Sequence, residues 1–200
     1  MREIRKATSL NCKSGVKPQT IPSVVSRRIV IAYWLIPAEP ARSFFQRTIN
    51  DLASRYDAPL FGPHVTIHVG LKRAAAAESA LLEAGRICKV INLKALESGH
   101  SSEFIKTLFV RFALNTELRQ LNEIIRNAAQ NSFPYELQPH LSLLYKKMPA
   151  VARHELADSI KVPFSEVAFD ALQAVRCISP TQSRADVEAW RLVVTRELHS

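Results

Sequence analysis

The sequence predicts an α+β fold in which two duplicated strand-helix-strand lobes, with antiparallel sheets, enclose a central cleft. Residues 63–67 and 139–143 both have the pattern Pro-His-apolar-hydroxyl-apolar. An apolar strand precedes each of these motifs at a similar distance, around Trp34 in the first half and Val110 in the second. A helical pattern separates strand from motif in both halves. A repeat at this spacing predicts an internal duplication.

Each motif places a histidine and a hydroxyl on one face of a strand. Side chains at positions i and i+2 share a face, so His64 lies beside Thr66, and His140 lies beside Ser142. The apolar residues between them face the core. Two such strands side by side would surround a phosphate-sized volume with two imidazoles and two hydroxyls. The alternative is two unrelated strands whose histidines are simply buried.

The first half begins with a strand over residues 29–36, which Pro37 and Pro40 end. The prolines open a helix over residues 41–56, where apolar side chains recur with helical spacing. A loop containing proline and glycine then leads into the first motif strand. The alanine-rich run that follows predicts a second helix, over about residues 73–86.

The second half is predicted to start with a strand over residues 88–96. Glycine and serine predict a turn over residues 97–102, and residues 104–114 predict the next strand. Asn115 or Thr116 is a suitable N-cap for the helix that precedes the second motif.

Pro134 ends this helical segment, and the second motif strand is expected over residues 140–145. Residues 151–160 predict a short helix. The apolar residues after Pro163 alternate as in a strand, but the alternation breaks near Asp170. That break predicts a bend or a bulge.

A turn over residues 179–184 and a strand with alternating apolar residues from Trp190 complete the chain. No long linker separates the halves, so residues 28–200 are expected to form a single bilobal domain. Residues 1–27 lack periodicity and are expected to form a flexible basic tail.

Composition limits the classes of function. Hydrophobic residues make up 47% of the chain, which is enough for a packed core. No run approaches the length of a membrane span, so no membrane association is expected. The three cysteines show no Cys-x-x-Cys spacing, so neither a zinc site nor a disulfide framework is expected. This cysteine usage favours a reducing cytoplasm.

The net charge of +9 is concentrated near the N-terminus, because residues 1–28 contain seven basic side chains and one acidic side chain. The folded part is therefore only mildly basic. The acid-poor tail is compatible with a transit peptide or with an arm that contacts nucleic acid. A disordered extension without a role is the simpler interpretation.

The two histidines can hold one proton between them near neutral pH. The neutral imidazole would take a proton from water, and the imidazolium would give a proton to the leaving oxygen. Thr66 and Ser142 would donate hydrogen bonds to the non-bridging phosphate oxygens. This chemistry calls for no metal and no cofactor, and it suits attack on a strained cyclic phosphodiester. Either histidine can take either role.

The paired His-x-Thr/Ser motifs resemble those of the 2H phosphoesterase superfamily, and within it the plant and bacterial cyclic phosphodiesterase group. Residues 33–37, 169–172 and 187–191 add to the resemblance, which runs from about residue 30 to residue 198. It implies two lobes around a water-filled cleft. It also implies hydrolysis of ADP-ribose 1″,2″-cyclic phosphate or of nucleoside 2′,3′-cyclic phosphates.

The resemblance also implies a role for each motif residue. The two motif histidines would be the acid/base pair, and the two motif hydroxyls would bind phosphate. Trp34 and Tyr145 match aromatic positions that line the substrate site. A regular strand would turn Tyr145 away from the cleft, so a twist or a strand end is expected after His140.

Other residues have weaker assignments. His68 shares the parity of His64 and is expected to be a partly buried neighbour of the site. Trp190 is expected in the core. Lys146 and Lys147 are candidates for attracting anionic substrates.

The leading hypothesis is a metal-independent cyclic phosphodiesterase, a cytoplasmic monomer that acts on a small nucleotide. A second is an RNA-end 2′,3′-cyclic phosphodiesterase whose basic tail holds the polymer. A third is a non-catalytic module that binds RNA or nucleotides. The presence of both histidines and both hydroxyls argues against the third.

Overall fold

The computed structural model describes residues 26–71, 74–129 and 135–199. The predicted tail up to residue 25, Arg73 and Pro134 lie outside the described residues. The strands are β1 (Arg28–Pro37), β2 (Val65–Leu71), β3 (Ile91–His100), β4 (Leu108–Phe112), β5 (His140–Leu144), β6 (Glu166–Ser179) and β7 (Arg191–Glu197). The α-helices are α1 (Ala41–Tyr56), α2 (Ala74–Ile87), α3 (Thr116–Ala128), α4 (Ala150–Ser159) and α5 (Arg184–Glu188), and a 3₁₀-helix spans Phe104–Lys106.

The strands form one seven-stranded sheet in the order β1-β2-β5-β4-β3-β6-β7, and their pairings are antiparallel. Strand β1 also pairs with β6, so the strands of the two halves close on each other around the hydrophobic core. The α+β class and the repeated strand-helix-strand unit are confirmed, as β1-α1-β2 and β4-α3-β5.

The helix of each repeat packs against the motif strand of the other repeat. Helix α1 packs chiefly against β5, and α3 packs against β2. Helix α1 has the predicted bounds, because its buried side chains, among them Phe45, Ile49 and Leu52, recur at helical spacing. The predicted N-cap of α3 is also confirmed, since the Asn115 side chain accepts a hydrogen bond of 2.9 Å from the Leu118 amide.

The turn predicted over residues 97–102 is wrong, because β3 continues to His100. Gly99 pairs with Phe109 on β4. A Cβ atom at Gly99 would lie 2.8 Å from the Phe109 ring. The glycine therefore marks a close approach of an aromatic ring to the backbone, and not the end of a strand.

The strand predicted over residues 104–114 begins later, at Leu108, because a 3₁₀ turn precedes it. The Thr107 hydroxyl lies within hydrogen-bond distance of the carbonyl oxygens of Phe104 (3.0 Å), Glu103 (3.3 Å) and Lys146 (2.6 Å). These contacts hold the 3₁₀ turn, which precedes β4, against the segment that follows β5.

The irregularity predicted near Asp170 is confirmed. Ile36 of β1 pairs with Ala171 and Pro37 pairs with Phe169, so Asp170 is the extra residue of a bulge. Its carboxylate instead accepts a 3.0 Å hydrogen bond from Arg42 of α1.

Candidate active site

A cleft opens where β2 and β5 separate. Among the described residues these strands pair only through Val65 and Leu141. Beyond that pair, the Thr66 carbonyl accepts a 3.1 Å hydrogen bond from the Tyr135 hydroxyl. The Ile67 carbonyl accepts one of 2.6 Å from the Asn122 side chain. These side chains replace strand partners, so the sheet parts without leaving the two carbonyls unsatisfied.

The register at the single β2–β5 pair sets the geometry of the site. With Val65 opposite Leu141 in an antiparallel pair, His64 lies opposite Ser142, and Thr66 lies opposite His140. Each histidine therefore faces the hydroxyl of the other motif. All four polar side chains line one cavity of about 330 Å³.

The aromatic residues named from the sequence line the same cavity. Trp34 reaches it from β1, where it pairs with Thr66. Tyr145 directly follows the last residue of β5, so the expected strand end is present there. The Tyr145 ring lines the cavity and stacks on Phe61, with centroids 3.9 Å apart.

The two histidines are held by matching hydrogen bonds. His64 Nδ1 lies 2.7 Å from the Gly62 carbonyl oxygen, and His140 Nδ1 lies 2.7 Å from that of Gln138. A carbonyl oxygen only accepts, so each Nδ1 carries the proton. The Nε2 atom of each ring is then left to accept or donate a proton.

The surroundings of His64 are aromatic. Its ring stacks on Trp34, with centroids 3.8 Å apart and planes at 15°. Trp190 meets it edge-on at 6.0 Å, and Phe61 does so at 6.3 Å. Burial lowers the pKa of His64 to about 4, and the nearby charge of a protonated His140 acts in the same direction.

The surroundings of His140 are more polar. Phe109 meets the ring edge-on at 5.5 Å, and Lys106 and Glu103 act on its charge. Burial lowers the pKa of His140; its bond to Gln138 opposes this, and the Lys106 charge lowers the pKa further. Glu103 raises it. His140 thus has charged neighbours of both signs, whereas rings surround His64.

The Ser142 hydroxyl is already engaged. It donates a 2.8 Å hydrogen bond to the Ile105 carbonyl, and its side chain also bonds the Tyr145 side chain. Donation from Ser142 to a ligand would require its O–H to rotate about the Cβ–Oγ bond, away from the Ile105 carbonyl.

The prediction that His68 neighbours the site is wrong. The β1–β2 register pairs Tyr33 with His68 and Trp34 with Thr66, which leaves Ile67 as the extra residue of a bulge. The extra residue reverses the sidedness of β2 beyond it, so His68 turns into the core. His68 is fully buried there, and burial lowers its pKa to about 4.

The sequence prediction did not assign Lys106 or Trp190 to the cavity. Lys106, on the 3₁₀ turn, lines the cavity, whereas Lys146 bonds the backbone carbonyl of Asp57 at 3.0 Å and Lys147 is exposed. Lysine spacing in the sequence gives no signal for this difference. Trp190 also lines the cavity.

The described parts of the chain hold no group of three or more His, Cys, Asp or Glu side chains placed to bind a metal ion. None of the helices within those parts is long and apolar enough to cross a membrane. Cys88 and Cys177 are free thiols, and Cys12 lies outside the described residues.

The antiparallel sheet, with one His-x-Thr/Ser motif in each half and both histidines at one cleft, is the arrangement that the sequence predicts for a 2H phosphoesterase. The chain matches the family described as cyclic phosphodiesterase-like protein over residues 29–198. It therefore belongs to the cyclic phosphodiesterase-like family of the 2H phosphoesterases, and it is a phosphodiesterase.

Individual relatives are distant. A cyclic phosphodiesterase from Arabidopsis thaliana is 22% identical over 179 residues, covering 86% of this chain and 97% of the relative. Escherichia coli LigT in complex with 3′-AMP superposes with a TM-score of 0.55 at 17% identity, covering 85% of this chain and 98% of LigT. The protein TT0787 of Thermus thermophilus superposes with a TM-score of 0.55 at 14% identity, covering 86% and 98%. The structural matches support the fold.

Proposed function

We propose that this enzyme hydrolyses the cyclic phosphodiester of a small nucleotide, either ADP-ribose 1″,2″-cyclic phosphate or a nucleoside 2′,3′-cyclic phosphate. One observation carries the proposal. The two histidines have the same Nδ1–carbonyl bond, and each faces the hydroxyl of the other motif across one cavity. This arrangement provides a proton acceptor and a proton donor on either side of a phosphate-sized space.

His64 is the general base of this proposal, because its aromatic enclosure keeps the imidazole neutral near neutral pH. Its Nε2 takes a proton from water as the water oxygen attacks phosphorus. His140 is the general acid, and its Nε2–H protonates the ring oxygen as the P–O bond breaks. The product is a phosphate monoester, and proton exchange with solvent resets the pair.

The remaining motif residues hold the phosphate. Thr66 lies opposite His140 and donates to a non-bridging oxygen in this proposal. Ser142 turns from the Ile105 carbonyl to do the same. The Lys106 ammonium, which lines the cavity, compensates the negative charge of the phosphate. These residues supply proton transfer and charge stabilisation without recourse to a metal ion or another cofactor.

In this proposal the nucleoside part of the substrate lies against an aromatic wall, which consists of Trp34, Tyr145 and Trp190. Trp34, Tyr145 and Trp190 line the cavity, with Trp190 5.1 Å from Trp34 and 5.9 Å from Tyr145. Aromatic rings bind bases by stacking with little sequence preference. LigT has been crystallised with 3′-AMP and with ATP, which supports a nucleotide as the ligand class. We propose further that the enzyme acts as a monomer in the cytoplasm.

The test is an assay of purified full-length protein against ADP-ribose 1″,2″-cyclic phosphate and the four nucleoside 2′,3′-cyclic phosphates, with and without EDTA. Turnover to a monoester that persists in EDTA is expected. Loss of turnover on chelation, restored by added zinc or manganese, would contradict the two-histidine mechanism. Inactivity on small substrates with cleavage of RNA ends would favour the RNA-end hypothesis.

A further inference from the structure

A second cavity, of about 310 Å³, adjoins the active site on the β4 side of His140. Lys106, Gln138 and His140 line both cavities, so the two spaces are neighbours that share these side chains. Phe109 and Arg111 line only the second. The proposed reaction does not use this second space.

The sheet register places these side chains beside the reacting groups. Arg111 on β4 lies directly opposite His140, and Phe109 lies opposite Ser142. Directly opposed residues project from the same face of a sheet, and neighbouring strands are about 4.8 Å apart. Arg111 therefore lies one strand away from the general acid, on the same face.

Two cations flank one aromatic ring in this second cavity. The Lys106 Nζ atom lies 5.4 Å from the centroid of the Phe109 ring, and the Arg111 Cζ atom lies 5.8 Å from it. The Phe109 ring packs directly against the backbone of Gly99 and occupies the space that a side chain at residue 99 would need. We call the surface formed by Lys106, Phe109 and Arg111 the basic groove.

The acidic side chains nearby leave the groove able to bind an anion. Glu97 pairs with Arg111 at 3.3 Å, but the two side chains are 67% and 54% exposed. An ion pair this exposed is weak and exchanges readily. Glu103, near His140, is exposed as well. A phosphate could therefore displace Glu97, since a guanidinium binds phosphate oxygens in a bidentate fashion.

We propose that the basic groove binds a second phosphate of the substrate, one that is not hydrolysed. This inference rests on the proposed function and narrows it: the substrate is a cyclic phosphodiester that carries another phosphate. The aromatic wall around His64 holds the nucleoside, while the second phosphate lies across β4. The second phosphate is a terminal monoester, the phosphodiester of a neighbouring nucleotide or the diphosphate of ADP-ribose 1″,2″-cyclic phosphate. All three have the chemistry that Lys106 and Arg111 recognise.

The test compares kcat/KM for four substrates: a nucleoside 2′,3′-cyclic phosphate with a free 5′-hydroxyl, the same compound with a 5′-phosphate, a dinucleotide ending in a 2′,3′-cyclic phosphate, and ADP-ribose 1″,2″-cyclic phosphate. The wild type is expected to favour one phosphate-bearing substrate by about tenfold, the order of a hydrogen-bonded charge pair. The favoured substrate identifies the source of the phosphate. The preference should shrink as the salt concentration rises, because added ions screen an exposed ion contact.

The variants sharpen this test. Arg111→Gln should bring the preference close to one, and Glu97→Gln should increase it because the competing carboxylate is gone. Lys147→Gln, an exposed lysine outside both cavities, should leave the preference unchanged. Melting temperatures check that every variant is folded.

A wild-type preference near one, or a preference that Arg111→Gln does not change, would overturn the second phosphate site. Failure of the proposed function looks different, because then no cyclic substrate is turned over. In that case calorimetry compares a nucleoside 3′,5′-bisphosphate with the 3′-monophosphate. Tighter binding of the bisphosphate, weakened by Arg111→Gln, would support the basic groove, and equal affinities would overturn it.

Discussion

The two halves of the candidate active site have the same backbone arrangement around their histidines but different neighbouring side chains. In each half, the histidine Nδ1 atom donates a hydrogen bond to the backbone carbonyl oxygen of the residue two positions earlier, over 2.7 Å. Around His64 the neighbours are the rings of Trp34, Trp190 and Phe61, whereas His140 lies beside Lys106 and the basic groove. The duplicated fold thus fixes the orientation of both imidazoles. Burial lowers the pKa of both imidazoles. The proposed division into base and acid rests on the neighbouring side chains, which are rings around His64 and the charged Lys106 and Glu103 beside His140.

Removing either imidazole should have the largest effect. His64→Ala and His140→Ala should each lower kcat by about 10²–10⁴-fold, because each removes one of two proton transfers. The double variant should be little worse than either single one, since both act in one cycle. His154→Ala, an exposed histidine outside the cavity, is the control. Near wild-type kcat in either single variant would refute the assignment.

An activated leaving group should separate the two roles. A p-nitrophenyl phosphodiester needs no protonation of its leaving oxygen, so His140→Ala should lose about tenfold less activity on it than on a cyclic nucleotide. His64→Ala should lose as much on either substrate. Steady-state kinetics on both compounds measure the difference. The opposite pattern would exchange the base and the acid.

The pH profile of kcat/KM should show the same asymmetry, because it reports the free enzyme. The acid limb reflects protonation of His64 near pH 4, and the alkaline limb reflects loss of the His140 proton below its ordinary pKa of about 6.5. Trp34→Leu should raise the acid limb by exposing His64 to water. Lys106→Met should raise the alkaline limb by removing a repelling charge. If either variant shifted both limbs of the profile by the same amount, the surroundings of His64 and His140 would not be electrostatically distinct.

The buried His68 should contribute a smaller effect, on stability and not on turnover. Its folded pKa of about 4 lies below the unfolded value of about 6.5, so the unfolded chain binds more protons between these values. Stability is full above pH 6.5 and falls towards pH 4, by on the order of 2 kcal/mol for this group. His68→Asn should flatten that part of the curve in urea denaturation. An unchanged slope would mean that His68 does not titrate in this range.

Truncation should have the smallest effect. Arg27 forms an ion pair with the buried carboxylate of Asp186, so the removable segment ends before it. Deleting residues 1–25 is expected to leave the melting temperature and the turnover of small cyclic nucleotides nearly unchanged. A large drop in melting temperature would show that the deleted residues pack against the fold. Weakened cleavage of RNA ends alone would favour the RNA-end hypothesis.

Local sequence signals predicted the elements that local physics determines. The bounds of α1 follow from apolar periodicity, and the cap of α3 follows from Asn115. Helix α5 was missed, although its capping box of Ser183 and Asp186 is visible in the sequence. The Ser183-x-x-Asp186 pattern is a local signal for the start of a helix, so this helix was predictable from the sequence.

Long-range register explains the other errors. A single extra residue in β2 turns His68 into the core, and no periodicity in the sequence marks it. Arg111 reaches His140 only because β4 and β5 pair in one particular register. Lys106 reaches the cavity because it lies on a 3₁₀ turn. The Thr107 hydroxyl stabilises that turn through the carbonyl oxygens of Phe104 and of Lys146, a residue distant in the sequence. Such features depend on strand partners that a sequence pattern does not name.

The crossed packing of α1 on β5 and of α3 on β2 constrains how this architecture can exist at all. A single strand-helix-strand unit would leave its own motif strand bare, and two separate units would have to exchange helices for either strand to be covered. Such an assembly would dissociate on dilution, because its stability would depend on protomer concentration. Joining the units in one chain removes that dependence and keeps the two motif histidines in one molecule at any concentration.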